Sequence, residues 1–239
     1  MDEGKPFRRI LLKLSGEALS EDGQGITPSV LANVAEDVAP VLEAGIQVGI
    51  VVGAGNIFRG MSDAASTMRR HVADSMGMLG TVINALALQE AFLAAGLKAS
   101  AMSSVPMPSV CEPFNAGRAR RLLEGGHVVL FGGGTGNPYF TTDTAAVLRG
   151  LEIGADVVMK ATKVDGVYDK DPMKHADAVK FDRLTHLEVV AKGLQVMDST
   201  ASTMSQDGGL PILVFNMRTR GNILAAARGE PVGTIVVPS

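Results

Sequence analysis

The sequence has no tryptophan, two tyrosines and a single cysteine, and aromatic residues make up only 4% of its 239 positions. A surface that stacks the bases of single-stranded nucleic acid needs more aromatic area than this. The formal net charge of −3 leaves no basic footprint for nucleic acid either. Cys111 cannot close an internal disulfide, which suits a reducing compartment and predicts a cytoplasmic address. It has no adjacent histidine or basic residue, so it reads as a small buried side chain and not as a nucleophile. No run of 18 apolar residues occurs, so no membrane partner is expected. The N-terminal apolar run is interrupted by Lys13 and is too short for a signal peptide. His71, His127, His175 and His186 stand apart from one another, so no metal-ligand cluster is visible.

What is present describes a folded chain. Hydrophobic residues reach 46% and charged residues 20%, which excludes intrinsic disorder. Glycine is in excess, with 28 residues or about 12% against a usual ~7%. Apolar or β-branched runs at Arg9–Leu14, 46–52, 97–102, 127–131, 156–160, 212–215 and 234–237 predict strands. Helical patterns lie between them, at about 28–44, 74–95, 116–124, 198–207 and 220–228, with another starting just after Thr141 or Thr142 and carrying Asp143 in its first turn. Thr27 and Thr141 or Thr142 are candidate N-caps, and Thr185-x-x-Glu188 is a candidate capping box. Residues 161–182 read as a long polar loop. Alternating strands and helices mean an α/β fold with a mainly parallel sheet covered on both faces. No linker or composition shift divides the chain, so residues 1–239 are expected to form one domain.

Three glycine clusters follow predicted strands directly: Ser15-Gly16, Gly53–Gly55 and Gly132–Gly136. In open α/β sheets, loops at the carboxyl ends of strands gather around one crevice where ligands bind. Glycine lets backbone N–H groups approach an anion, and a following helix N-terminus favours it. A single such loop is often only a tight turn. Three together, with Lys13 and Arg59, point to phosphate. The P-loop pattern is absent, and both near-matches to G-x-G-x-x-G fail, at Phe58 and at Tyr139. No G-x-S-x-G elbow is present. The remaining chemistry is phosphate handling by lysine, arginine, backbone amides and Mg²⁺.

The segments KLSGEAL (13–19), GNIFRG (55–60), TGNPYFTTD (135–143) and ATKVDGVY (161–168) resemble the bacterial uridylate kinase branch of the amino acid kinase family. The resemblance runs from about residue 8 to the C-terminus. It implies a three-layer αβα sandwich that transfers phosphoryl from ATP to UMP with Mg²⁺. It also implies a homohexamer, with GTP as activator and UTP as inhibitor. The part before about residue 150 would serve mainly UMP, and the part after it mainly ATP.

Carried over by position, the resemblance makes Lys13, Arg59 and Asp143 the catalytic residues. Lys13, Leu14, Ser15, Gly16, Gly55, Arg59, Thr162, Lys163, Tyr168 and Asp171 would bind ATP. Ala54, Asp74, Thr135, Gly136, Asn137, Pro138, Tyr139, Phe140, Thr141 and Thr142 would bind UMP. No residue is expected to hold the metal directly; the nucleotide phosphates would do so. Asp198 could be a helix cap or a functional group. Met76, Met78 and Leu79 read as packing against the sheet or another subunit. Ala54 stands where relatives often have glycine, and an alanine does not adopt positive φ cheaply. Two other readings stay open: a kinase of the same fold acting on a carboxylate or carbamate, and a nucleotide-binding storage or regulatory protein without turnover.

Overall fold

The computed structural model describes residues 5–58 and 67–239. Arg9–Leu14 forms β1, fully buried along its length. A 3₁₀ turn, Gly16–Leu19, follows it. Pro28–Glu43 is α1, and Gln47–Val52 is β2. Thr27 sits at the N-cap of α1, but its hydroxyl accepts from the Glu21 N–H instead of capping the helix. Arg70–Ala94 is α2, which starts about one turn before the periodicity predicts. Ala99–Ser103, Glu112–Pro113, Ala116–Glu124 and Val128–Gly132 are β3, β4, α3 and β5. Thr142–Ile153 is α4, capped by the Thr141 side chain, and Val157–Thr162 is β6.

The expected long loop after β6 holds a correction. Val167–Tyr168 (β7) and Lys180–Phe181 (β8) pair antiparallel within it. Two-residue strands carry no periodic signal, so the sequence pattern does not reveal them. Arg183–Thr185 (β9) leads into α5, His186–Ala191, where the Thr185–Glu188 capping box is present. Ser199–Asp207, Ile212–Asn216, Asn222–Ala227 and Gly233–Val237 are α6, β10, α7 and β11.

Nine strands form one sheet in the order β4-β3-β5-β2-β1-β6-β10-β11-β9. Every neighbouring pair in it is parallel except β10 with β11. Strand side chains alternate between faces. Ile10, Leu12 and Leu14 join one core with residues of α1, α2 and α7. Leu11 joins the other core with residues of α3, α4, α5 and α6. The result is helix layers on both faces of a mainly parallel sheet, as the alternation of elements predicts.

Helix α2 has the length and hydropathy of a membrane span. Its Ala85, Leu88 and Phe92 are nevertheless buried in the sheet core. Val72, Met76, Leu79 and Ile83 form an exposed stripe along the same helix. Cys111 is half-buried, and burial pushes its thiol pKa up, in line with an unreactive side chain.

Candidate active site

The sheet order puts β5, β2 and β1 side by side, so the three glycine clusters emerge together at one edge. They interlock tightly. A Cβ on Gly16 would lie 2.6 Å from the Gly55 nitrogen and 2.8 Å from the Gly53 carbonyl. Only glycine allows the first loop to lie this close to the second. The Gly53 N–H donates to the Leu14 carbonyl at 2.9 Å, while the Leu14 side chain is core. Any contact from Leu14 to a ligand must therefore come from its backbone. Ala54 does not require positive φ: among the described residues, Tyr139 is the non-glycine residue that has it. The Ala54 methyl lies 2.9 Å from where a Cβ on Gly80 of α2 would sit.

Beside these loops is a charged cluster. Lys13 is one residue from the end of β1 and shares the α4 face with Leu11. Its Nζ lies 2.9 Å from Asp143 Oδ1, and both side chains are largely buried. Lys160 of β6 reaches the other oxygen, Nζ to Oδ2 at 2.7 Å, and also donates to the Val196 carbonyl at 2.6 Å. Burial pushes the Asp143 carboxyl up, but the two ammonium groups more than reverse this and hold its pKa below the usual carboxylate value. Burial, with Lys13 as a like charge, pushes the Lys160 ammonium down against the pull of Asp143. Asp143 occupies the first turn of α4, where the helix dipole favours an acid.

Lys160 is the residue that motif reading misses. A signal existed: it sits on the Val158 face of an apolar strand, directly across from Lys13. Asp198 fills the first of its two expected roles, the helix cap. It caps α6 by accepting from Ala201 N–H at 2.9 Å, and it accepts the hydroxyls of Thr141 and Thr144 from α4. It thereby fixes the helix that carries Asp143.

The stretch Thr135–Thr142 runs from the third glycine loop into α4. Thr135 accepts the Asn137 N–H at 3.2 Å. Gly136 has φ +83°, and Tyr139 has φ +73°. A positive φ at a tyrosine costs energy and persists only where the surroundings hold it. Here Asp74 does so, accepting the Tyr139 N–H at 2.7 Å. Asp74 is also paired with Arg70 at 2.8 Å, and the Arg70 guanidinium lies 5.7 Å from the Tyr139 ring centre. Tyr139 and Phe140 are exposed. Pro138 lies on the same loop, and Thr142 Oγ1 would be 3.6 Å from a Cβ on Gly53. The structure thus brings Asp74 to the 135–142 loop and that loop to the glycine edge.

On the other side of Lys160 is a cavity of about 520 Å³, lined by Thr162, Tyr168, Asp171, Gly193 and Leu194 among others. Thr162 hydroxyl donates to the Val164 carbonyl at 2.6 Å, and Asp171 accepts the Met173 N–H at 2.9 Å. Lys163 is not in this cavity. It is mostly exposed, lies 3.8 Å from Glu17, and lines a separate cavity of about 660 Å³ with Ser15. Thr162 is shared by both cavities. Arg59 and Gly60 lie outside the described residues.

Among the described residues no group of three or more His, Cys, Asp or Glu could hold a metal ion. Asp143 Oδ1 is buried, with the Lys13 ammonium at 2.9 Å and no other polar partner among the described residues. One hard carboxylate oxygen with a spare lone pair fits Mg²⁺ only if phosphate oxygens complete the coordination.

Residues 8–216 match the Amino acid kinase family. The chain is 53% identical over 231 residues to the uridylate kinase of Xanthomonas euvesicatoria, covering 96% of each protein. It is equally 53% identical to the uridylate kinase of Shewanella baltica, covering 96% of this chain and 94% of that one. The crystal structure of UMP kinase from Bacillus anthracis superposes with a TM-score of 0.94 at 37% identity, covering 98% of this chain and 97% of that chain. The chain belongs to the amino acid kinase family.

Proposed function

We propose that this protein is a UMP kinase, a nucleoside monophosphate kinase that transfers the γ-phosphoryl group of ATP to UMP, giving ADP and UDP. The observation that carries this reading is the Lys13–Asp143–Lys160 cluster. It lies at the edge where three glycine loops meet, between the 520 Å³ cavity and the Asp74–Tyr139 loop. Phosphoryl transfer asks for in-line positioning and for positive charge around the transferring group. The UMP phosphate is already an anion at neutral pH, so it attacks without a general base. That agrees with a cluster made of ammonium groups and one ionised carboxylate.

Lys13 and Lys160 stabilise the charge on the transferring phosphoryl group, and Asp143 holds both in register. The ribose and adenine of ATP occupy the cavity of Thr162, Tyr168 and Asp171. UMP lies along Thr135–Thr142, with Asp74 at its ribose and Ala54 beside its phosphate. Ser15, Gly16 and Gly55 offer backbone N–H groups to the ATP phosphates. Arg59 clamps phosphate, and Lys163 assists from the Ser15 side. Asp143 is the residue that would reach a Mg²⁺ ion bound with ATP, which would supply further positive charge to the phosphates. Residues before about 150 supply the UMP side, and later residues the ATP side, of a single domain.

The exposed stripe Val72, Met76, Leu79 and Ile83 supports burial against another copy, in a homohexamer. GTP would activate and UTP would inhibit, and the GTP response would act through Glu21–Gly25. That loop is tied to the second glycine loop, because Asn56 donates to the Gly25 carbonyl at 2.6 Å and Gly25 N–H donates to the Asn56 carbonyl at 2.9 Å. We place the enzyme in the cytoplasm, in keeping with its unpaired cysteine.

The test is ADP release from ATP·Mg²⁺ as a function of UMP, repeated with CMP, dUMP and a panel of carboxylate acceptors. UMP-dependent release is expected. ATP binding without it would identify a storage or regulatory protein, and turnover with a carboxylate would move the enzyme to another branch of the family.

A further inference from the structure

Arg149 lies in α4, six residues after Asp143, and its side chain is only 4% exposed. A buried guanidinium is costly to keep, and an apolar side chain of similar volume would fill the same space more cheaply. Its contacts show where the group is directed. It pairs with Glu152 on its own helix and lies 3.9 Å over the ring of Phe114. Nη2 donates to Ser104 Oγ at 3.0 Å, with the Gly134 carbonyl at 3.5 Å. Ser104 Oγ in turn donates to that same Gly134 carbonyl at 2.9 Å. The guanidinium, the hydroxyl and the carbonyl therefore form a relay from α4 to the third glycine loop.

That loop has little freedom in its seat. A Cβ on Gly133 would lie 2.8 Å from the Val105 nitrogen, and one on Gly136 would lie 3.1 Å from the Ser104 carbonyl. Gly133, Gly134 and Gly136 all have positive φ. The backbone leaves this seat directly into Thr135–Thr142.

We propose that Arg149 is a positioning residue for the acceptor nucleotide: through Ser104 and Gly134 it sets the loop on which UMP rests. This rests on the reading of Thr135–Thr142 as the UMP site. Arg149 touches neither nucleotide in this scheme. Its loss loosens UMP binding and spares ATP.

The experiment compares steady-state kinetics and thermal melting of the wild type, Arg149→Met and Ser104→Ala. For Arg149→Met, the KM for UMP is expected to rise about tenfold, with the KM for ATP within about twofold and kcat at saturating UMP within about threefold. Ser104→Ala is expected to raise the KM for UMP by about threefold. The double variant is expected to match Arg149→Met, because both act through one relay. Arg149→Lys keeps the charge but not the planar fork, so an intermediate KM for UMP is expected. A lowered Tm with both KM values unchanged, or both KM values rising together, overturns the proposal. If Arg149→Met does not fold, an unchanged KM for UMP in Ser104→Ala overturns it. Wild-type activity separates the two readings: without UMP-dependent ADP release the function fails, and with it only the role of Arg149 is judged.

Discussion

Lys13 and Lys160 are register partners on the adjacent parallel strands β1 and β6. Side by side and largely buried, two ammonium groups repel, and Asp143 takes one on each oxygen. The arrangement holds more positive than negative charge at one point. It therefore suits an incoming polyanion better than it suits the empty protein.

Each lysine should accordingly matter for turnover far more than for folding. Lys13→Ala is expected to lower kcat by several orders of magnitude with the circular dichroism spectrum unchanged, and Lys160→Ala by at least about a hundredfold. A variant that keeps more than about a tenth of wild-type turnover removes its lysine from the mechanism. Asp143→Asn leaves both ammonium groups without their counter-charge. It is expected to cost about 3–5 kcal/mol in urea unfolding as well as activity. The depressed Asp143 pKa contributes stability that is present above the ordinary carboxylate value and is lost as pH falls through the folded one. The acid side of the stability profile should therefore flatten in Asp143→Asn.

Asp74 should separate the two substrates. Asp74→Asn weakens the acceptor for the Tyr139 N–H and any ribose contact. The expected result is a raised KM for UMP with ATP affinity little changed. Equal loss for both nucleotides in isothermal titration would take Asp74 out of the acceptor site.

The contact between the first two glycine loops should be intolerant of a single methyl. Gly16→Ala drives a Cβ into backbone atoms of Gly53 and Gly55, which cannot rotate away. A loss of about 1–3 kcal/mol is expected, with the KM for ATP raised. Wild-type melting and kinetics in this variant would show that the loops are looser than described.

His186 makes stability depend on pH away from the active site. It is buried between α5 and α6, with Nε2 at 3.0 Å from Ser205 Oγ, and burial pushes its imidazole pKa down. The folded state thus holds it neutral where the unfolded chain is protonated. Stability should rise with pH toward the ordinary histidine pKa near 6.5 and fall below it. His186→Gln should flatten this dependence between pH 5 and 7, read from urea midpoints. An unchanged slope would remove His186 as its source.

Much of the fold was legible because buried strands and amphipathic helices write long patterns. The helix 116–124 and the strand Arg9–Leu14 have the bounds that the pattern predicts. The ribbon β7–β8 and the edge strands β4 and β9 are two or three residues long, too short for a period to register. In the site, motif resemblance carried Lys13, Asp143 and Asp74 but passed over Lys160, which looks like the polar end of a strand. Only pairing of β1 with β6 brings it opposite Lys13. Arg149 was hidden for a similar reason. Nothing local distinguishes a helix arginine that faces solvent from one folded under the loop before its helix.

Ala54 and Gly80 share room for one methyl group between the second glycine loop and helix α2. Here the loop holds that methyl and the helix goes without. Gly80→Ala alone should crowd the pair, although alanine is about 1 kcal/mol better than glycine in a helix interior. Ala54→Gly together with Gly80→Ala should restore the fit and be at least as stable as the wild type. The two positions then behave as one site whose occupant can change sides, and an alanine in this loop is half of an exchange with the helix behind it.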